Sequence, residues 1–297
     1  MKSITAVLNI ILLIPLSFKL SCAPVSEKKV LNVLYHPSKH SPFEKKTEDE
    51  SNPKGFSIIL AHRIADSLGY EVNFVSRPFQ SIITEVENGS HRKAGLEDAI
   101  AISSISVTEK RKKSLLFSNR YFATGLGLMV HSSQPFNSLE EVLDFKNSNT
   151  GRFVFGALNG STGKKFIEEK IGSEYTEITV KGFDQIDLMF QDIEGKQPKI
   201  HGIILDQVVL LDHWFRKKEI EENTYIFART INREDWAVVM HKADRVLCRQ
   251  INELLNSYVG SQEFYDDLAR SMSKDVSLRW STSEMVSTFY HQTASPN

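Results

Sequence analysis

The sequence predicts an α/β protein in which mostly parallel sheets are covered by helices. Short apolar or alternating runs typical of strands recur along the chain, and segments with apolar residues at helical spacing lie between most of them. Such alternation places helices on the faces of a mostly parallel sheet. The 297 residues, 41% of them hydrophobic and 25% charged, are enough for one or two domains with a substantial core.

The predicted elements begin with a strand at 29–35 and, after a polar loop at 36–53, a helix at 56–68 that stops at Gly69, a residue typical of helix C-termini. Ser138, followed three residues later by a glutamate, predicts a capping box at the start of a further helix. The other predicted strands are 71–75, 99–102, 114–121, 152–158, 177–180, 201–205, 225–229 and 236–240; the other predicted helices are 79–87, 162–171, 184–194, 207–217, 245–259, 264–272 and 283–291, with a polar loop at 89–98.

The N-terminus has the pattern of a secretory signal peptide. Lys2 is followed by an apolar run over residues 4–20 and by small residues at 21–23. A membrane-anchoring helix is the competing interpretation, because the run approaches the length that spans a bilayer. Pro15 and the small residues favour a signal peptide at 1–23.

The chain has two cysteines, and this number limits its possible redox chemistry. Cys22 is either removed with the signal peptide or lipidated, although Lys19 stands where a lipoprotein signal normally has an apolar residue. In both cases Cys248 is alone, in a helical pattern where it is expected to be a small buried hydrophobe. A disulfide framework and a cysteine metal site are therefore excluded.

Composition and spacing argue against several classes of function. A formal net charge of −1 provides no basic field for nucleic acid, and the basic run at 110–113 is too short for a binding patch. The nine histidines show no metal-ligand spacing with a partner carboxylate. We therefore expect no nucleic-acid partner, no metal site and no cofactor.

The most informative stretch is the serine-rich segment from Ser103 to Arg111, which follows the apolar strand predicted at 99–102. Serines offer hydroxyl and backbone N–H groups, and the planar fork of an arginine matches a carboxylate two bonds at a time. An apolar strand, a polar rim and one fixed positive charge predict a small-molecule site that holds an anion.

Polar residues also follow two other predicted strands. Residues 159–162 follow the strand at 152–158 and lead into a helix, and Asp206 follows the strand at 201–205. In α/β sheets, ligands bind beyond the carboxyl ends of strands. The three strand ends can therefore converge on one ligand if two sheets face each other.

Several of these segments resemble, in the same order, the motifs of the family 3 solute-binding proteins of bacterial ABC importers, in particular the amino-acid-binding group. The similar segments are Gly55-Phe56-Ser57-Ile58 leading into a helix that ends at Leu68-Gly69, then residues 103–111, then residues 117–121. The resemblance covers roughly residues 31–272 and leaves 273–297 without a counterpart.

The resemblance implies a type II periplasmic-binding-protein fold, with two α/β lobes joined by two crossing strands and closing on the ligand like a hinge. The first lobe would comprise residues 28–125 plus 239–297, and the second would comprise residues 126–238.

The resemblance also implies how the ligand's α-carboxylate is held. Arg111 would grip it, assisted by Ser106 and the backbone at Ser104, and Thr162 at a helix start would hold it from the second lobe, where free N–H groups favour anions. The alternative for Arg111 is a solvated position in the basic run, and for Thr162 it is a helix cap.

Three further residues would complete the site by the same resemblance. Asp206 would accept the ligand's α-ammonium, Phe79 would line the side-chain pocket, and His40 matches a position where the family often places an aromatic ring. Their structural alternatives are a helix cap for Asp206, a core position for Phe79 and an exposed loop position for His40.

The loop at 35–41 departs from the family pattern of basic-amino-acid binders, since it contains no Asp or Glu and is one residue longer. A cationic ligand side chain would lack its partner there, and the loop histidines instead suggest a polar or acidic side chain.

By this resemblance the chain is expected to be a periplasmic or secreted monomeric receptor, not an enzyme. It would present a small zwitterion or carboxylate to ABC transporter membrane subunits. The alternatives are an orphan sensor, which would use the same pocket, and a periplasmic dehydratase-like enzyme. The enzyme is disfavoured because residues 208–210 are apolar where an added catalytic carboxylate is expected.

Overall fold

The computed structural model describes residues 28–49, 52–134, 136, 139–143, 153–171, 178–217, 224–226 and 230–272. The predicted signal peptide with Cys22, the capping box at Ser138, the helix at 283–291 and the segment 273–297 lie outside the described residues. Within them, no helix combines the length and apolar character that crossing a bilayer requires.

Strands and helices alternate over most of the described residues, as the sequence predicted, but the strand at 126–131 and the short helices at 90–93 and 109–112 were not predicted. The strands are β1 (Val30–Tyr35), β2 (Glu71–Ser76), β3 (Ala99–Ala101), β4 (Leu115–Thr124), β5 (Leu126–His131), β6 (Phe153–Leu158), β7 (Ile178–Phe183), β8 (Gly202–Asp206), β9 (Thr224–Ile226) and β10 (Glu234–His241). The helices are α1 (Phe56–Leu68), α2 (Phe79–Asn88), α3 (Ser90–Lys93), α4 (Glu109–Lys112), α5 (Leu139–Leu143), α6 (Thr162–Phe166, continued by a π-helical turn at Ile167–Ile171), α7 (Ile186–Ile193), α8 (Gln207–Lys217), α9 (Arg245–Tyr258) and α10 (Gln262–Ser271).

The first sheet has the strand order β2-β1-β3-β10-β4. β1 pairs in parallel with β2 and β3, whereas β10 pairs antiparallel with β3 and β4. β3 is buried along its whole length because it lies between two strands and beneath helices. Helix α1 packs its apolar stripe, which includes Phe56, Leu60 and Ile64, into the same core.

The second sheet has the order β7-β6-β8-β5-β9. β6 pairs in parallel with β7 and β8, and β5 pairs antiparallel with β8 and β9. The carboxyl ends of the parallel strands β6 and β8 therefore share one edge of this sheet. Leu158 and Asp206 end these two strands.

Two adjacent segments join the sheets. The chain leaves the first sheet at the end of β4, passes through Gly125 and enters the second sheet as β5; it returns through residues 230–233 into β10. The Leu126 N–H donates to Asn232 Oδ1 at 3.0 Å, and the Ile231 N–H donates to the Leu126 carbonyl at 2.7 Å. Two sheets linked by two crossing segments form the two-lobed fold that the resemblance implied.

The predicted lobe boundary at 238 falls inside β10. Because the whole of β10, from Glu234 to His241, pairs within the first sheet, the boundary requires a correction: the return crossing precedes Glu234. The boundary came from the family resemblance, and it assigned residues 234–238 to the wrong lobe although a strand was predicted at 236–240.

Most local predictions agree with the structure. Helix α1 has the predicted bounds and ends at Gly69, whose φ of 70° is the left-handed conformation that glycine adopts readily. Cys248 is buried, as expected. The predicted polar loop at 89–98 instead contains α3, where buried His91 places its Nδ1 atom 2.9 Å from the Glu85 carbonyl.

Candidate functional site

The turn after β3 presents serine side chains at the edge of the first sheet. The Ser103 hydroxyl accepts a hydrogen bond from the His36 backbone N–H at 2.9 Å. Ser104 has a φ of 51°, a left-handed conformation that costs free energy in any residue with a side chain. Its hydroxyl donates to the Glu44 carboxylate at 3.0 Å. Strained backbone persists where the surroundings over-determine it, and it concentrates at binding and catalytic sites.

Arg111 lies on the helical turn that follows these serines. The Thr108 hydroxyl caps this turn by accepting from the Arg111 backbone N–H at 3.2 Å. The guanidinium donates from Nη1 to the Ser106 carbonyl at 2.7 Å and from Nη2 to the Gly160 carbonyl of the second lobe at 2.9 Å. It also lies over the Phe79 ring, 5.8 Å from its centroid. Arg111 is thus held by its partners and not solvated in the basic run.

The second lobe contributes the start of helix α6. Ser161, not Thr162, is its N-cap, since the Ser161 hydroxyl accepts from the Lys164 N–H at 3.1 Å. The Thr162 hydroxyl is therefore not used as a cap, and it donates to Glu234 Oε2 at 2.8 Å. Gly160, with a φ of 78°, makes the preceding turn. The Gly160 carbonyl, which accepts from Arg111 of the first lobe, thus lies one residue before the N-cap of α6.

Asp206 ends β8 and faces the first lobe across the cleft. Its Oδ1 atom accepts from Trp236 Nε1 at 3.2 Å. Burial raises the pKa of Asp206 well above its ordinary value, and the neighbouring Glu234 carboxylate raises it further. Burial lowers the pKa of the Arg111 guanidinium, while Glu234 and Asp206 oppose that shift.

Glu44 is a buried acid that the sequence analysis did not assign to the site. Its carboxylate accepts hydrogen bonds from Ser57 at 2.6 Å and Ser41 at 3.0 Å, in addition to that from Ser104. Burial raises the pKa of Glu44 to about 7, although these hydroxyl donors lower it in part. Among the described residues that line the cavity, two carboxylates, Glu44 and Asp206, face a single cation, Arg111.

Six of the seven predicted residues line one cavity between the two sheets. Its volume is about 30 Å³, which is room for about two water molecules. A ligand of amino-acid size therefore requires the lobes to separate before it enters. The predicted residues on its wall are Ser104, Ser106, Arg111, Phe79, Thr162 and Asp206, joined by His36, Ser41, Glu44, Ser103 and several apolar side chains.

His40, the seventh predicted residue, does not line this cavity. Its Nδ1 atom lies 2.9 Å from Nδ1 of His213 in α8, so one ring donates and the other accepts. Two residues of the same loop bond to α7, because the Ser38 hydroxyl and the Lys39 N–H donate to Asp187 Oδ1 at 2.7 and 2.9 Å. We call these three bonds the closing contacts, since they join the first lobe to the second beside the cavity.

The sequence analysis missed His36 and Glu44. A usable signal existed for His36: it follows β1, which runs parallel to β3, so the two strand ends share one sheet edge. Glu44 lies three residues beyond the loop at 35–41, and burial of a lone carboxylate is not visible in sequence.

Comparison with known proteins gives a consistent result. The sequence profile of the bacterial extracellular solute-binding proteins, family 3, matches residues 31–270. Curated relatives include an arginine-binding periplasmic protein of Mannheimia haemolytica, 25% identical over 238 residues that cover 78% of this chain and 86% of the relative. A probable histidine-binding protein of Neisseria gonorrhoeae is 20% identical over 235 residues, covering 79% of this chain and 80% of the relative.

Solved structures share the fold. Holo ArgBP from T. maritima superimposes with a TM-score of 0.64 at 25% identity, covering 81% of this chain and 94% of that one. An ancestral arginine-binding protein bound to arginine gives a TM-score of 0.68 at 24% identity, covering 82% and 98%. The fold, the two crossing segments and the profile match over residues 31–270 together show that this chain belongs to the bacterial extracellular solute-binding proteins, family 3.

Proposed function

We propose that this protein is an extracytoplasmic receptor that binds a small amino-acid-like ligand between its lobes and delivers it to an ABC importer. The observation that carries the proposal is the convergence of Arg111 from the first lobe with Thr162 and Asp206 from the second around one cavity. A guanidinium and a carboxylate on opposite lobes match the two charges of a zwitterion.

The carboxylate end of the ligand is assigned to Arg111. A guanidinium has five N–H donors, and the carbonyls of Ser106 and Gly160 engage its two Nη atoms. Donors therefore remain for a carboxylate, and the start of α6 at Thr162 adds backbone N–H groups. Charge-assisted bonds of this kind contribute about 1.5–3 kcal/mol each.

The ammonium end is assigned to Asp206. Its pKa is raised by burial and by Glu234, so an ionised Asp206 is costly while no cation faces it. A ligand ammonium beside Asp206 would stabilise the ionised form and so gain a favourable charge pair. The cavity wall has two carboxylates and one guanidinium, and this excess of acidic groups supports placing the ligand's ammonium at Asp206.

The test is thermal unfolding of residues 26–297 against the twenty amino acids and a set of di- and tricarboxylates. A ligand present at 100 times its Kd stabilises the protein by about 2.7 kcal/mol, a shift of several degrees. We expect one chemical class of amino acid to produce this shift and Arg111→Ala to abolish it, because truncating one side of a buried charge pair costs about 2–5 kcal/mol.

The matched control is Arg120→Ala. Arg120 lies in β4 of the first sheet and faces Asp235 at 3.5 Å, outside the cavity, so its loss is expected to leave the ligand shift intact. A folded protein that no amino acid stabilises would contradict the receptor, as would a shift that survives Arg111→Ala. Chemical conversion of a ligand while it is incubated with the protein would favour the dehydratase-like enzyme instead.

The remaining assignments are parts of the same proposal. Residues 1–23 act as a signal peptide, and Cys22 is the candidate for lipidation; mass spectrometry of the exported protein distinguishes the two products. The protein acts as a monomer, with a first lobe that includes residues 28–125 and 234–272. Ligand-dependent uptake with the importer's membrane subunits tests the receptor against an orphan sensor.

A further inference from the structure

His36 lies on the cavity wall and has a buried ring nitrogen without a hydrogen-bond partner among the described residues. The residue follows β1, is only 5% exposed and lies on the cavity wall. Its Nδ1 atom is 3.1 Å from the Arg77 carbonyl oxygen. A carbonyl only accepts hydrogen bonds, so Nδ1 carries the ring proton. Nε2 is buried and has no hydrogen-bond partner among the described residues.

The ring is fixed in this orientation. The backbone N–H of His36 donates to the Ser103 hydroxyl at 2.9 Å, and the imidazole meets the Phe79 ring edge to face, with centroids 6.5 Å apart. Burial lowers the pKa of His36, against smaller opposing effects of the Arg77 carbonyl and of Asp187 and Asp184. At neutral pH the imidazole is therefore uncharged, and Nε2 is an acceptor.

Unpaired buried acceptors are rare, and each calls for an explanation. The carboxylates on this wall are those of Glu44 and Asp206, beside serine and threonine hydroxyls that both donate and accept, and Arg111 is the cation assigned to the ligand's carboxylate. With Asp206 assigned to the ligand's ammonium, Nε2 of His36 and the Glu44 carboxylate are the groups left that only accept. A ligand side chain that brings a donor satisfies this wall, whereas a carboxylate side chain meets lone pairs and negative charge.

We propose that His36 determines ligand specificity by accepting, at Nε2, a hydrogen bond from the end of the ligand's side chain. This inference rests on the proposed function. The site then takes amino acids whose side chains end in an N–H donor, namely an amide, guanidinium, ammonium or imidazole, and rejects acidic side chains. It keeps the polar side chain that the sequence analysis expected, but it excludes the acidic one and admits the cationic side chains that the loop at 35–41 had argued against.

The test is titration calorimetry at neutral pH with two sets of amino acids. The donor set is arginine, lysine, histidine, glutamine and asparagine; the donor-free set is glutamate, aspartate, methionine and leucine. We expect the tightest donor ligand to bind at least tenfold more tightly than any donor-free ligand, because a buried acceptor left unpaired penalises the latter. In His36→Phe, which keeps a ring but removes the acceptor, this gap is expected to disappear.

The matched control is His40→Phe. His40 lies in the same loop but contacts His213 and not the cavity, so the variant is expected to keep the gap even if every affinity falls. A donor-free ligand that binds tightest, or a gap that survives His36→Phe, would overturn the role of His36 while leaving the receptor intact. Binding of none of the nine amino acids would instead overturn the receptor.

A measurement on the unaltered protein avoids dependence on the folding of the variant. In ¹⁵N spectra of the histidine-labelled protein, the Nε2 resonance of His36 is expected to start at the position of a bare imidazole nitrogen. Adding the tightest ligand moves it toward that of a hydrogen-bonded acceptor. A resonance that stays in place at ligand saturation contradicts the assignment.

Discussion

Glu44 lies among three serine hydroxyls at the base of the cleft, and its ionisation is coupled to folding. Its pKa is raised from 4.5 to about 7, a difference of about 3 kcal/mol in free energy at about 1.4 kcal/mol per pH unit. A carboxyl with a raised folded-state pKa stabilises the fold when protonated. The stabilisation is complete below about pH 4.5 and is lost as the pH rises through about 7.

Replacing Glu44 by glutamine is expected to remove this dependence. The wild-type free energy of unfolding is predicted to fall by about 3 kcal/mol between pH 4.5 and pH 8 through this group, and Glu44→Gln is predicted to lack that fall. Urea unfolding at four pH values measures it. Glu87→Gln, which alters an exposed glutamate on α2, serves as the control and is expected to keep the wild-type slope. Equal slopes in wild type and Glu44→Gln would contradict the assignment.

Among the elements, the crossing at Gly125 is the tightest. A Cβ atom built on Gly125 would lie 1.9 Å from the Asn232 carbonyl oxygen on the returning segment. The glycine is therefore required for the close approach of two backbones, since its φ is not in the left-handed region. The same approach allows the Gln207 N–H to donate to the Gly125 carbonyl at 2.8 Å, which ties α8 to the crossing.

Gly125→Ala is expected to destabilise the protein by about 1–3 kcal/mol, as overpacking against backbone typically does. Denaturant unfolding measures the loss. Gly95→Ala is the matched control: Gly95 has a φ of 80° but nothing within 4 Å of its would-be Cβ, so only the conformational cost of about 1 kcal/mol applies. A loss at Gly125 no larger than that at Gly95 would show that the crossing tolerates a side chain.

The elements also show how far the sequence could be interpreted. Helix α1 was predicted with its bounds because an apolar stripe and a terminal glycine coincide there, and the strand ends after β3, β6 and β8 were predicted because polar residues interrupt apolar runs. Helix α3 was missed because its four residues are polar and carry no periodic pattern. His40 was assigned to the cavity by sequence similarity alone, whereas its ring lies against His213 of α8.

At the scale of the whole molecule, the closing contacts are among the bonds that hold the two lobes together. Asp187 accepts two hydrogen bonds from the loop at Ser38 and Lys39 but does not line the cavity. Since these bonds exist only when the lobes are together, they favour the closed form without touching a ligand. A protein that binds its ligand by closing has an apparent affinity that depends on the equilibrium between its open and closed forms.

Asp187→Ala is therefore expected to weaken ligand binding although no ligand contact is removed. Asp187 is only partly exposed, and a charged contact of this kind contributes about 1 kcal/mol, which corresponds to about a fivefold rise in Kd. Calorimetry measures the Kd, and small-angle scattering is expected to report a larger radius of gyration for the ligand-free variant. Asp184→Ala is the control, because Asp184 accepts from Asn159 within the second lobe. An unchanged Kd in Asp187→Ala would mean that closure does not depend on this contact.

The position of β10 has a consequence for the order in which the lobes can be completed. All five strands of the second sheet lie between residues 126 and 226, whereas β10, from Glu234 to His241, inserts between β3 and β4. Until β10 has emerged on the side of the membrane where the chain folds, those two strands have open edges that can pair with other chains. The lobe that starts the chain is thus the last to be completed, and the nascent protein is most prone to aggregate in the interval before β10 emerges.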